Sequence, residues 1–326
     1  MGDDVATMNS GSRAPHPSAG GRSRPTSAHP TSRVSRGAPA VLLLATALSD
    51  SLATMRDNLP GLLDDLDTEF LHDFRVAVRR TRSTLKLGRA VLPEVMGYRW
   101  EPAFKGLGDA TTPLRDLDVY ELDLPTMAGW LVSANPADLE PFAAHLRARR
   151  RAERRTLVRE LKSARFSRLL RDWEQQLAGL VDTADVVGTK QLPAGKWANR
   201  RIAQLHRRVV RGGSAISADS PGVELHELRK RSKELRYALE VSEPVVASGS
   251  HKHLVADLKD LQDVLGRFQD CEVQRHALHG FAEEMMVTGT STGAVLAIGE
   301  LIAHLGGEQD QARRDFHAAF ARFAGR

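Results

Sequence analysis

Leu71-His72-Asp73-Phe74-Arg75 returns 154 residues later as Leu225-His226-Glu227-Leu228-Arg229, and the basic residues behind each copy keep their spacing. On a helix turning about 100° per residue, His72, Arg75, Arg79, Arg82 and Lys86 fall within an arc of about 80°, as do His226, Arg229, Lys233 and Arg236. Leu71, Phe74, Val78 and Leu85, and in the second copy Leu225, Leu228, Leu235 and Leu239, form the neighbouring face. Each copy is therefore expected to be a helix whose cationic stripe borders its buried stripe, which places the charge in a groove or at a seam between halves. Like charges three or four apart on a helix destabilise it by roughly 0.2–0.5 kcal/mol per pair. A solvated face cancels this by mixing Glu with Lys, but these stripes hold one acid, Glu240, in the place of Lys86. The missing counter-charge is a polyanion.

The offset extends beyond the histidines. Lys105-Gly106-Leu107-Gly108-Asp109 lies over Lys259-Asp260-Leu261-Gln262-Asp263, and Leu114-Arg115-Asp116-Leu117-Asp118-Val119 over Phe268-Gln269-Asp270-Cys271-Glu272-Val273. An internal duplication follows, with two similarly folded halves, about 38–187 and 188–326. Helical patterns are expected at 40–58, 68–91, 98–131 and 136–180, and again at 194–212, 222–241, 250–286 and 293–324. Segment 181–193 is the link. Pro60-Gly61, Gly212-Gly213, Pro221-Gly222 and Gly306-Gly307 are expected breaks, and Thr112-Pro113 a cap-and-proline restart inside the third helix. Residues 1–37, rich in Ser, Gly, Pro, Arg and His, are expected to form a disordered tail.

Composition agrees with an all-α class: 41% of the 326 residues are hydrophobic, only 5% are aromatic, and alternating β-branched runs are scarce. The net charge of +5 and the pI near 9.5 suit an acidic partner. Cys271 is the only cysteine, which excludes an intrachain disulfide and a Cys-based zinc site, and a reducing cytoplasm is the expected setting. The run Ala38 to Ala45 behind basic residues is similar to a secretory signal. It continues, however, as an amphipathic pattern through Leu48, Leu52 and Met55, so it is expected to be the first core helix. No stretch is long enough to span a bilayer, and no membrane partner is expected.

At these motifs the chain resembles the CHAD family, α-helical domains named for their histidines. The resemblance rests on His72 with Arg75, Val76, Arg79, Arg80 and Arg82, on Arg115-Asp116-Leu117-Asp118-Val119, and on His226, Arg229, Lys230, Lys233, Arg236 and Tyr237. It covers about residues 40–324. It implies two four-helix bundles related by pseudo-two-fold symmetry, with a basic central surface that binds inorganic polyphosphate and associates with polyphosphate granules. The halves depart from each other at Glu240, at Gln269, which answers to Arg115, and at Tyr237, which answers to Ser83.

Polyphosphate presents only charge and hydrogen-bond acceptors, so it is gripped by arginine forks and lysine point charges. The expected binding set is His72, Arg75, Arg79, Arg80, Arg82, Lys86, His226, Arg229, Lys230, Lys233, Arg236 and Tyr237. Lys105 and Lys259 join it because the duplication kept both, and Arg207 and Arg211, on one face with Lys196 and Arg200, would widen the channel. Phosphate should favour the charged form of His72 and His226, so that binding tightens as pH falls toward 6. Asp116, Asp118, Asp270 and Glu272 are expected to orient arginines ahead of holding a metal, and Arg147 to Arg171 to form a solvated face. No cofactor and no catalytic residue is expected. His72-Asp73 spells the dipeptide of metal-dependent phosphohydrolases, but the second copy reads His226-Glu227 and no further ligands are evident. Nucleic acid is expected to bind only nonspecifically, since aromatics for base stacking are nearly absent around the stripes.

Overall fold

The computed structural model describes residues 34–187, 192–247, 249 and 251–325. Nine α-helices are present among them: α1 (Ala40–Asp64), α2 (Thr68–Gly88), α3 (Glu101–Ala128), α4 (Glu140–Leu161), α5 (Ala164–Val187), α6 (Ala194–Ser214), α7 (Gly222–Ser242), α8 (Lys252–Val287) and α9 (Thr292–Ala324). The all-α class is as the sequence indicates. α2 and α7 begin and end at positions 154 apart, and the residues expected to be their apolar stripes are all buried. Asp67 caps α2 by accepting from the Glu69 N–H at 2.9 Å, one of the donors a helix start leaves unpaired.

Several expected boundaries move. α1 runs through Pro60-Gly61 and stops at Asp65, whose left-handed backbone (φ 55°) lets its N–H reach back to the Gly61 and Leu62 carbonyls. Gly61 instead serves packing, because a Cβ there would come within 2.4 Å of the Phe70 ring. α3 continues through Pro113 without restarting. The pattern at 136–180 splits at Lys162-Ser163 into α4 and α5, and α5 extends into the expected link as far as Val187. Gly306-Gly307 lies inside an unbroken α9. The tail at 1–37 falls outside the described residues except for Val34 to Gly37. There the expectation of disorder fails locally, because Val34 is buried in the core. The signal-like run is core as well: Ala40, Val41, Leu43, Leu44 and Ala45 are buried.

The halves meet through contacts between positions related by the offset. Pro39 and Pro193 form an antiparallel bridge, with the Ala40 N–H donating to the Leu192 carbonyl at 3.1 Å and the Ala194 N–H donating to the Ala38 carbonyl at 2.7 Å. Farther along, the Tyr120 hydroxyl donates to the Gln274 carbonyl at 3.4 Å, again 154 residues away. Reciprocal contacts of this kind are what a local two-fold arrangement produces. Burial does not respect the division into halves. One core joins α1, α2, α3 and α5 to α6, α7, α8 and the end of α9, while a second is built from the ends of α3 and α8 with the starts of α4 and α9. Within the first core Trp100, Phe104 and Trp173 form an aromatic cluster, with the Trp173 centroid 4.8 and 5.1 Å from the other two rings.

Two outcomes test this packing. Trp173→Ala should lower unfolding free energy by about 3–5 kcal/mol in urea denaturation, because a fully buried indole leaves a cavity its neighbours cannot fill. Residues 38–187 produced alone should bind a hydrophobic dye and lose cooperative unfolding, whereas coexpression with 188–326 should abolish the dye binding and restore cooperativity.

Candidate functional site: a cationic seam between α2 and α7

α2 and α7 pack against each other at the junction of the halves. Their basic stripes converge: burial above all lowers the pKa of Arg229 and Lys233 of α7, and Arg79 of α2 lies close enough to add to both shifts. Arg79, Arg80 and His72 line the same cavity, about 740 Å³ in volume, as Arg236, Tyr237 and Glu240 of α7 and Lys259 and Asp263 of α8.

The stripe residues divide into ties and free donors. Arg75 Nη1 donates to the Gly108 carbonyl at 3.1 Å and to the Thr111 and Thr112 hydroxyls at 2.7 and 3.0 Å, fastening α2 to α3. Pro113 removes one N–H from the α3 ladder beside these groups, at the place where Arg75 inserts its donors. Arg229, only 4% exposed, donates to Asp270 at 2.9 Å and fastens α7 to α8. Arg75 and Arg229 thus hold the frame. Arg79 Nε, Arg229 Nε and the Tyr237 hydroxyl are buried with no hydrogen-bond partner among the described residues. A buried donor left unpaired costs about 1–3 kcal/mol, so this set is poised for acceptors from outside the chain.

The remaining expected residues are less evenly placed. Glu240 lies 3.2 Å from Arg236 Nε and 3.8 Å from Arg80 Nε, and so offsets two cations of the seam. Arg82 reaches over Gly108 on the α3 side. Lys86 is exposed at the last turn of α2. Lys230 contacts Glu227 at 3.1 Å and Lys105 contacts Asp109 at 3.1 Å, both along their own helices, while Lys259 lines the cavity. Arg207 and Arg211 are exposed on α6, opposite the buried Ile202, Leu205 and Val209, and do not line the cavity. Arg150 and Arg154, expected on a solvated face, instead brace Asp65, with Arg150 also held by Asp118 at 2.7 Å. His251 and Lys252 line the cavity and were missed by the sequence pattern. They occur in one half only, and an offset reading singles out what both halves share.

The two histidines differ. His226 Nδ1 lies 2.6 Å from Gln269 Oε1, and Gln269 Nε2 in turn donates to Glu272 at 3.1 Å. That chain places the hydrogen on His226 Nδ1 and leaves its Nε2 for another partner. Arg115 takes the place of Gln269 in the first half. Burial above all, then Arg115 and Arg79, pushes the His72 pKa down to about 4, so His72 is neutral at pH 6 and is not the cation the sequence suggested. Lys233 titrates nearer neutrality: burial, then Arg229 and Arg79, lowers it to about 7, against a smaller opposing effect of Asp270. The acids orient cations, as Asp118 does for Arg150 and Asp270 for Arg229. Burial raises Asp116 to about 6 although Arg75 and Arg115 oppose it. Among the described residues no cluster of three or more His, Cys, Asp or Glu is arranged to hold a metal ion. Nor is any helix among them long and apolar enough to cross a membrane.

The family model for the CHAD domain matches residues 46–279, most of the chain. The chain belongs to the CHAD family. The CHAD domain from the plant Ricinus communis superposes with a TM-score of 0.74 at 24% identity, over 90% of this chain and 94% of that one. PptA from Streptomyces chartreusis superposes with a TM-score of 0.65 at 17% identity, over 87% of this chain and all of that one. At these identities the likeness shows a common fold. No curated protein matches the chain. In this CHAD domain the motif histidines and the arginines that follow them lie on α2 and α7, the two helices whose stripes meet, and Arg115 lies on α3.

Two expectations follow from the geometry. Arg229→Ala should lower stability by about 1.5–3 kcal/mol in thermal or urea melts, because it strands Asp270 beside a lost charged hydrogen bond. An anion bound at the seam favours protonated Lys233, whose pKa in the free protein is about 7. Affinity for a polyanion should therefore climb as pH falls from about 9 to about 7 and level off below that. Lys233→Arg, charged throughout, should flatten the profile in titration calorimetry.

Proposed function

We propose that this CHAD protein binds inorganic polyphosphate along the seam between α2 and α7, as a binding protein and not an enzyme. The observation that carries the reading is the meeting of two cationic rows whose buried donors, Arg79 Nε, Arg229 Nε and the Tyr237 hydroxyl, have no partner among the described residues. A flexible chain of phosphates supplies closely spaced acceptors at every step and tolerates a curved track. Its charge offsets both the burial and the repulsion that depress Lys233 and Arg229. Arg79, Lys233 and Arg236 supply the main contacts in this reading, with His72 donating one hydrogen bond as a neutral ring. Lys259, Arg80 and Arg82 extend the track toward its ends.

General nucleic-acid binding is the rival for the same charge. Sequence-tolerant binders of single strands stack bases on exposed aromatics, and here the cavity offers only Tyr237, itself buried. Recruitment to polyphosphate granules in the cytoplasm is the cellular role that accords with the binding proposed.

The test pairs Arg79→Glu with Lys233→Glu, at positions that do not carry the α2–α3 and α7–α8 ties. The double variant should keep its helicity by circular dichroism and lose at least about 100-fold in affinity for long-chain polyphosphate, since each charge-assisted bond contributes about 1.5–3 kcal/mol. In competition at fixed salt and equal phosphate concentration, duplex DNA should fail to displace labelled polyphosphate, and the chain length of the polymer should be unchanged on incubation. Unaltered affinity in the double variant would place the site elsewhere.

A further inference from the structure

The cavity beside the seam lies at the α7–α8 connection of the second half, with α2 of the first half as its other wall. In the first half, the segment between α2 and α3 folds Leu92, Met96 and Trp100 inward, each at most 7% exposed. Arg89 and Glu101 close over them as an ion pair. By the 154-residue offset, Leu92 answers to Val246 and Trp100 to Leu254, smaller side chains that are only partly buried. Arg89 answers to Glu243 and Glu101 to Val255, a pair that cannot form an ion bridge, and both of these residues line the open cavity. Where one copy is filled by a tryptophan and latched by a salt bridge, the other is left open.

The lining of the opening joins two chemistries. Arg79, Arg236 and Lys259 supply cations, and Val76, Leu239, Val246, Val255 and Leu258, on the same helices or the segment between them, supply apolar surface. Inorganic polyphosphate contains no apolar atom, so this apolar surface does nothing for it. At about 740 Å³ the cavity is within the range of small-molecule sites, which join an apolar lining to a few directed polar groups. Glu243 and Asp263 also line it and can accept hydrogen bonds from hydroxyl or amino groups.

We propose that this cavity binds an organic polyphosphate, a nucleoside triphosphate or a longer homologue. Its phosphates lie on Arg79, Arg236 and Lys259, and its nucleoside rests against Val76, Leu239 and Val255. The inference rests on the polyphosphate reading for its cations alone; the apolar surface is independent of it. Because Arg79 and Arg236 serve both ligands, the nucleotide and the inorganic chain exclude each other at this end of the seam. Occupancy by one therefore reports the scarcity of the other.

The probes are ATP and tripolyphosphate, titrated without magnesium into the full-length protein by calorimetry. They carry similar charge, so a purely Coulombic site binds tripolyphosphate at least as tightly. The expected result is ATP binding at least about tenfold tighter than tripolyphosphate, from burial of its organic part. Val255→Trp, a change at a half-exposed helix position that fills the apolar part, should lower ATP affinity at least about tenfold and leave tripolyphosphate within about twofold. ATP binding no tighter than tripolyphosphate, or an equal loss of both in Val255→Trp, overturns the proposal. Long-chain polyphosphate is measured in parallel. If it fails to bind while the ATP preference and its loss in Val255→Trp hold, the polyphosphate reading falls and the nucleotide site stands. If it binds while ATP does not, the nucleotide site alone falls.

Discussion

Like-charge repulsion across the seam of α2 and α7 is the constraint that everything else accommodates. Arg79, Arg229, Lys233 and Arg236 are held near one another in partly buried surroundings, and burial first, then Arg229 and Arg79, depresses the pKa of Lys233. Glu240 and Asp270 offset only part of that charge. The arrangement persists because the apolar faces of the same helices are locked into a core that runs through both halves, and because Arg75 and Arg229 are tied sideways to α3 and α8. The framework supplies the stability and the seam holds unpaired cationic donors ready. That division is expected of a site pre-organised for a ligand of opposite charge.

The two halves use one plan unequally. Glu240 in the place of Lys86 lowers the charge at one end of the second stripe, and Gln269 in the place of Arg115 gives His226 a hydrogen-bonded setting where His72 has a cationic one. The segment joining α2 to α3 is packed shut by Trp100, and its counterpart is open. A symmetric groove would offer a polymer the same surface in either direction. This one has a distinguishable end, with a cavity lined by His251 and Lys252 and by apolar side chains.

The apolar stripes of α2 and α7, their limits, the buried first helix and the all-α class were legible in the sequence. Each of these depends on local periodicity, and a helix buries whichever face carries its Leu, Val and Phe. That the cationic face borders the buried one in both copies was legible too, which left a groove and a seam between halves as the alternatives. Pro60, Pro113 and Gly306-Gly307 misled as breaks, because packing on both sides of a helix outweighs the loss of one ladder hydrogen bond or the weak helix preference of glycine. The restart within 136–180 went unread, since Lys162-Ser163 carries no strong breaker.

What the sequence determined by itself is the number of cations per stripe, the side of each helix they occupy and their repetition. Those are properties of spacing along one chain. Only the tertiary structure decided which of those cations are spent as ties, which donors remain unpaired, that His72 is neutral while Lys233 titrates near neutrality, and that the α7–α8 connection leaves a cavity where the α2–α3 segment is filled. These depend on neighbours from distant helices, because burial and Coulombic environment are set by distance through space and not along the chain.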